Sequence, residues 1–143
     1  MKVNIFKQPS EECVKKLLSS SGLESSDLTP EHLRHFFGLG TKEELEGIVG
    51  LELFDTVGLL RSLAVVSPRR RTGLGSKLVA HAENYARSHN IKSLYLLTVT
   101  AEDFFTNRGY QKIRREDAPT AIRETKEFCE ICPVSSAFMA KHL

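Results

Sequence analysis

The segment Leu63-Ala64-Val65-Val66-Ser67-Pro68-Arg69-Arg70-Arg71-Thr72-Gly73-Leu74-Gly75 constrains the fold more than any other part of the chain. A short apolar run closed by a proline reads as a buried strand ending at residue 66. Beyond the glycines, Leu74, Leu78, Ala82, Tyr85 and Ala86 recur at helical spacing, which predicts a helix over 73–89, with Asn90 suited to its C-terminal end. The order is strand, basic loop, glycine turn, helix. The first amides of a helix have no partner inside it, and its dipole is positive there, so this turn is suited to an anion. Gly73 and Gly75 keep side chains away from that approach, and Arg69, Arg70 and Arg71 add charge. The geometry suits a pyrophosphate. Two glycines alone would mean only a tight loop, and three arginines alone only a solvated one. Contact with nucleic acid lacks the interleaved aromatics and wider basic face that it would need.

The rest of the pattern predicts a mixed sheet with helices over it, an α/β (α+β) arrangement that is mostly antiparallel. Helices are expected over 10–21, closed by Gly22, and from Thr29-Pro30 to about residue 34. Strands are expected at 35–39, 47–54 and 59–66, the last two joined through Asp55, Thr56, Val57 and Gly58. A strand at 94–99, a short helix at 102–107, a strand at 109–114, a helix at 119–129 and a last strand at 136–141 complete the chain, with Phe138 and Met139 in the core. At 143 residues and 41% hydrophobic content, a single domain over 1–143 is expected. The net charge of +2 is too small to make nucleic acid or membrane a general partner. Three cysteines and no signal-peptide pattern point to a reducing, cytoplasmic setting.

Arg70-Arg71-Thr72-Gly73-Leu74-Gly75, preceded by its apolar strand and proline, resembles the Q/R-x-x-G-x-G/A signature of the GNAT superfamily of acetyltransferases. Ala101-Glu102-Asp103-Phe104-Phe105-Thr106-Asn107-Arg108-Gly109-Tyr110 resembles that family's second block. The resemblance implies the GNAT fold and acetyl-CoA as co-substrate; no metal is expected, because no cysteine or histidine joins partners in a recognised metal motif. It implies that the backbone of Arg70, Arg71, Thr72, Gly73, Leu74 and Gly75 holds the pyrophosphate, and that of Leu63, Ala64 and Val65 the pantetheine and acetyl carbonyl. Thr98 and Phe105 fall where relatives carry an asparagine and a tyrosine against the cofactor, so a proton donor for the leaving thiolate is unassigned: water, Tyr95, a thiol or no acid at all. The stretches 59–65, 94–98 and 121–136 are similar to a GNAT subgroup associated with arsenic resistance, which implies an arsenic-related acceptor. The expected acceptor is a small-molecule amine, amino-acid-like. A protein amine and a CoA-binding sensor without turnover are the alternatives, and a homodimer is left open.

In the hairpin, period two places Glu52 on one sheet face with Ile48, Gly50 and Phe54, and pairing brings Arg61 to it. Two readings stand side by side: a cross-strand ion pair, and an acceptor site in which Glu52 attracts the ammonium and serves through water as a base while Arg61 grips an anionic group. Ser62 belongs to the opposite face unless a bulge intervenes. Cys129-Glu130-Ile131-Cys132 has metal-ligand spacing without a second pair, so packing is expected. The histidines at 32, 35, 81 and 89 are expected to face solvent.

Overall fold

The computed structural model describes residues 4–23, 25–66, 73–131 and 136–143. Among them, seven strands form one sheet in the order β1-β2-β3-β4-β5-β7-β6. These are β1 (Ile5–Lys7), β2 (Phe36–Gly40), β3 (Leu45–Phe54), β4 (Val57–Val65), β5 (Ser93–Thr98), β6 (Gln111–Lys112) and β7 (Ala137–His142). Four helices accompany them: α1 (Glu11–Ser20), α2 (Leu74–Ser88), α3 (Glu102–Thr106) and α4 (Thr120–Arg123). Contacts group the chain into two compact units, Met1–Glu52 with Leu60–Asn84, and Leu53–Leu59 with Tyr85–Leu143.

In the first unit, α1 starts where Ser10 accepts a hydrogen bond from the Cys13 amide at 3.2 Å, an N-cap. Its buried Val14, Leu17 and Leu18 pack with Leu28, Leu33, Phe36, Leu45, Ile48 and Ala64. Strands β1 and β2 pair antiparallel, as do β2 and β3, where Phe36 lies opposite Gly50. A Cβ on Gly50 would stand 2.3 Å from the fully buried Phe36 ring, so the ring lies over the bare backbone and only glycine fits beneath it.

In the second unit, β4 starts parallel to β5 through Val57↔Ser93, Gly58↔Leu94 and Leu59↔Tyr95, and this ladder ends at Leu59. Strand β7 pairs antiparallel with both β5 and β6. Leu59, Ala118, Ile122 and Phe138 form its core, with Tyr95 stacked on Phe138 at 5.8 Å. Phe138 and Met139 are buried as their sequence pattern predicts.

Several expectations need correction. Strand β1 has too few residues to show a period, and it forms by pairing with β2. The turn before β4 is Asp55 and Thr56, earlier than the pattern suggested, because Asp55 takes the left-handed conformation at φ 56. The predicted 109–114 strand shrinks to Gln111–Lys112, followed by a 3-10 turn at Arg115–Asp117. The predicted 119–129 helix is interrupted. Thr125 Oγ1 donates to the Ile122 carbonyl at 2.7 Å and accepts from the Phe128 amide at 3.3 Å, offering the backbone an alternative to the helical ladder, and a π-helical turn follows at Glu127–Ile131. Cys129 is exposed and donates to the Thr125 carbonyl, so it is no core residue. Cys132 lies outside the described residues.

Candidate active site

The residues expected on the cofactor side lie on β4, at Gly73 and at the start of α2. Gly73 adopts φ +84, and among the described residues a Cβ there would meet nothing within 4 Å, so the position combines left-handed backbone with open space at a helix N-terminus. Its carbonyl accepts from the Lys77 amide at 3.2 Å, which opens α2. Gly75 is the second residue of that helix and Leu74, at 6% exposure, anchors it. Asn90 closes the far end at φ 63, as its position in the sequence suggested. Open space among the described residues at the positive end of a helix of four turns is compatible with a phosphate group. Arg70, Arg71 and Thr72 lie outside the described residues. On β4, Ala64 is buried while Leu63 and Val65 are half-buried.

Further along the first unit, a buried ion cluster centres on Arg61, whose side chain has no exposure. Nη1 donates to Asp27 Oδ2 at 2.5 Å and to Glu52 Oε2 at 2.8 Å, Nη2 donates to Asp27 Oδ1 at 2.8 Å, and Nε donates to Ser62 Oγ at 3.1 Å. The predicted meeting of Glu52 and Arg61 is therefore present. Sequence reasoning missed Asp27, which takes both arms of the guanidinium fork. It sits in an irregular stretch 34 residues before Arg61, and no local spacing announces such a partner. Ser62 reaches the same cluster because its φ of 60 breaks the alternation of β4. The fork is thus engaged with the protein's own groups, and the cluster's outward-reaching carboxylate is Glu52.

Burial by itself would raise the Asp27 carboxyl, but the Arg61 hydrogen bonds and charge outweigh it and hold its pKa below the usual carboxylate range. His32, on the 3-10 turn His32–His35, brings Nε2 to 3.9 Å from Glu52 Oε1. It does not simply face solvent, and neither does His81, whose ring stands edge-on to Phe37 at 4.7 Å and whose pKa is lowered by burial. Ligand atoms of Asp27, His32 and Glu52 lie within 4.8 Å of one another, a spacing that a metal ion could use. Arg61 already holds three of the four carboxylate oxygens there, so the guanidinium occupies the cationic place.

In the second unit, Thr98 Oγ1 accepts from the Ala101 amide at 3.0 Å and closes the turn into α3. Phe105 is 4% exposed and packs edge-on against Phe104 and Tyr110, at 5.1 and 5.5 Å, so its observed contacts are those of a core residue. Tyr95 packs against the core of Leu59, Ala118, Ile122 and Phe138, and burial raises its pKa.

A seven-stranded mixed sheet whose fourth strand leads through a glycine turn into a long helix defines the class as an acyl-CoA-type transferase fold. Residues 4–113 match the Acetyltransferase (GNAT) family, and the chain belongs to it. An uncharacterized N-acetyltransferase of Chlorobaculum tepidum is 33% identical over 105 residues, 72% of this chain and 64% of the relative. An amino-acid acetyltransferase of Ralstonia nicotianae is 35% identical over 68 residues, 48% of this chain and 15% of that protein. The crystal structure of N-acetylglutamate synthase from Neisseria gonorrhoeae, complexed with coenzyme A and N-acetyl-glutamate, superimposes with a TM-score of 0.83 at 24% identity, covering 100% of this chain and 35% of that one. The chain spans less than two thirds of each of these three proteins.

Proposed function

We propose that the chain, acting as a single acetyltransferase domain, transfers the acetyl group of acetyl-CoA to the amine of a small, amino-acid-like molecule. One observation carries the acceptor side. The cluster sets two carboxylates against one guanidinium, and Glu52 is its outermost acid, with a side chain 13% exposed against 3% for Asp27 and none for Arg61. The unbalanced negative charge therefore meets the surface at Glu52, where a substrate ammonium would complete the cluster. Similarity to amino-acid acetyltransferases supports the same class of acceptor.

Acetyl-CoA supplies the acetyl group as a thioester. The backbone of Arg70, Arg71, Thr72, Gly73, Leu74 and Gly75 would hold its pyrophosphate. Amides of Leu63, Ala64 and Val65 would polarise the acetyl carbonyl and stabilise the oxyanion that forms on attack, an effect worth about 3 kcal/mol for one donor. Glu52 would place the ammonium and, through water, take the proton that the amine must lose. Arg61 holds Glu52 in place, a different task from gripping a substrate carboxylate. An arsenic-related acceptor is a narrower form of this proposal and rests on the resemblance of 59–65, 94–98 and 121–136 alone. Exposed Cys129 and half-buried Cys13 are free thiols, in keeping with a cytoplasmic setting. No helix among the described residues is long and apolar enough to cross a membrane.

Glu52→Gln tests the acceptor site with L-glutamate as the amine. The expected result is a rise in KM for glutamate of about ten-fold, with the KM for acetyl-CoA unchanged. Equal changes in both constants would remove Glu52 from the acceptor site.

A further inference from the structure

His32 has a fixed ring orientation that the scheme above does not use. The Thr29 amide donates to His32 Nδ1 at 3.1 Å, so Nδ1 is an acceptor and the neutral imidazole carries its proton on Nε2. Thr29 Oγ1 lies 3.0 Å from the same nitrogen, and the His32 amide reaches back to that hydroxyl at 3.5 Å. Pro30 follows Thr29 and restricts the backbone between them, so a short turn clamps the ring from one side. The other side, Nε2–H, faces Glu52 Oε1 at 3.9 Å, while Arg61 Nη1 holds Oε2 at 2.8 Å.

We infer that His32 is a positioning residue for Glu52, biasing Oε1 by the approach of its Nε2–H while Arg61 holds Oε2 by a hydrogen bond. The inference rests on the reading of Glu52 as the ammonium site. Arg61 fixes Oε2 by a hydrogen bond, and the polar Nε2–H of His32, 3.9 Å from Oε1, is close enough to favour that oxygen electrostatically without bonding it. A 3.9 Å separation is longer than a hydrogen bond and leaves Oε1 able to take a donor from the substrate, and an ammonium N–H is one. The side chain of His32 is 29% exposed and that of Glu52 13%, so the pair lies where the cluster reaches the surface. A role confined to packing would not require the ring's proton to be on the nitrogen that faces the acid.

The test compares His32→Phe, which keeps a ring and removes the donor, with His32→Gln, whose amide returns an N–H near the place of Nε2. With L-glutamate as acceptor, His32→Phe is expected to raise its KM about five-fold with the KM for acetyl-CoA and the urea midpoint unchanged, and His32→Gln to restore most of the loss. In a Glu52→Gln background, His32→Phe should add nothing, because its effect passes through the carboxylate. If Glu52→Gln raises the glutamate KM and His32→Phe does not, the inference fails and the acceptor site stands. If Glu52→Gln is without effect, or glutamate is not acetylated, long-range 1H–15N spectra of the imidazoles decide. An Nε2-protonated His32 whose nitrogen shifts respond to Glu52→Gln supports the pairing, and an Nδ1-protonated or unresponsive ring overturns it.

Discussion

Asp27→Asn lowers the free energy of unfolding by about 3 kcal/mol at pH 7, measured from urea denaturation with the m value unchanged. The magnitude follows from what remains. Arg61, with no side-chain exposure, loses the carboxylate that takes both arms of its fork, and an asparagine amide would turn its own N–H groups toward a donor. Glu52 still neutralises the charge, which keeps the loss near the lower end for a broken buried pair. The pH dependence has a definite sign. Arg61 depresses the Asp27 pKa in the folded protein, so this carboxylate contributes its stability above the unfolded-state value near 4, and the contribution is lost as pH falls through the folded-state value. Asp27→Asn should therefore be less stable at pH 7 and should also lose part of the acid sensitivity of the parent. A variant as stable as the parent would mean that the cluster holds Arg61 without Asp27.

The second large effect is expected on cofactor affinity. Gly73→Asn should raise the KM for acetyl-CoA on the order of thirty-fold while changing stability by less than about 1 kcal/mol. Asparagine tolerates the left-handed conformation that Gly73 holds at φ +84, so the backbone need not move. Among the described residues no atom lies within 4 Å of the added Cβ, so they give no reason for a stability loss by collision. What the new side chain occupies is the approach to the N-terminus of α2. A variant with ordinary acetyl-CoA kinetics would place the pyrophosphate somewhere else. A variant that unfolds instead would show that the turn, and not the ligand, needs glycine.

These two residues also show how far the sequence reading reached. Gly73 was legible because a strand, a glycine turn and an amphipathic helix are local patterns, each written in consecutive residues, and the helix starts and ends close to where the pattern places it. The Glu52–Arg61 pair was legible in part: both residues lie in consecutive strands joined by one turn, but that turn is Asp55 and Thr56, so the directly opposed register reckoned from a later loop is not what brings them together. Asp27 and His32 lie in irregular or 3-10 backbone, where no period relates sequence to direction, and tertiary packing alone carries them to Arg61 and Glu52. The break between α4 and the π-helical turn escaped notice because Thr125 reads as an ordinary helical residue until its hydroxyl takes the Ile122 carbonyl. Phe105 was placed against the cofactor through family resemblance, and the rings packed on it are Phe104 and Tyr110.

The most direct test of the proposed activity is the release of free thiol from acetyl-CoA against L-amino acids, amino-phosphonates or arsonates, polyamines and short peptides. Thiol release that depends on an amino acid, with the N-acetyl product formed in equal amount, is the predicted result. Tight binding of acetyl-CoA with no release on any acceptor would contradict it and leave a CoA-binding sensor, whereas release with peptides alone would move the acceptor to a protein amine.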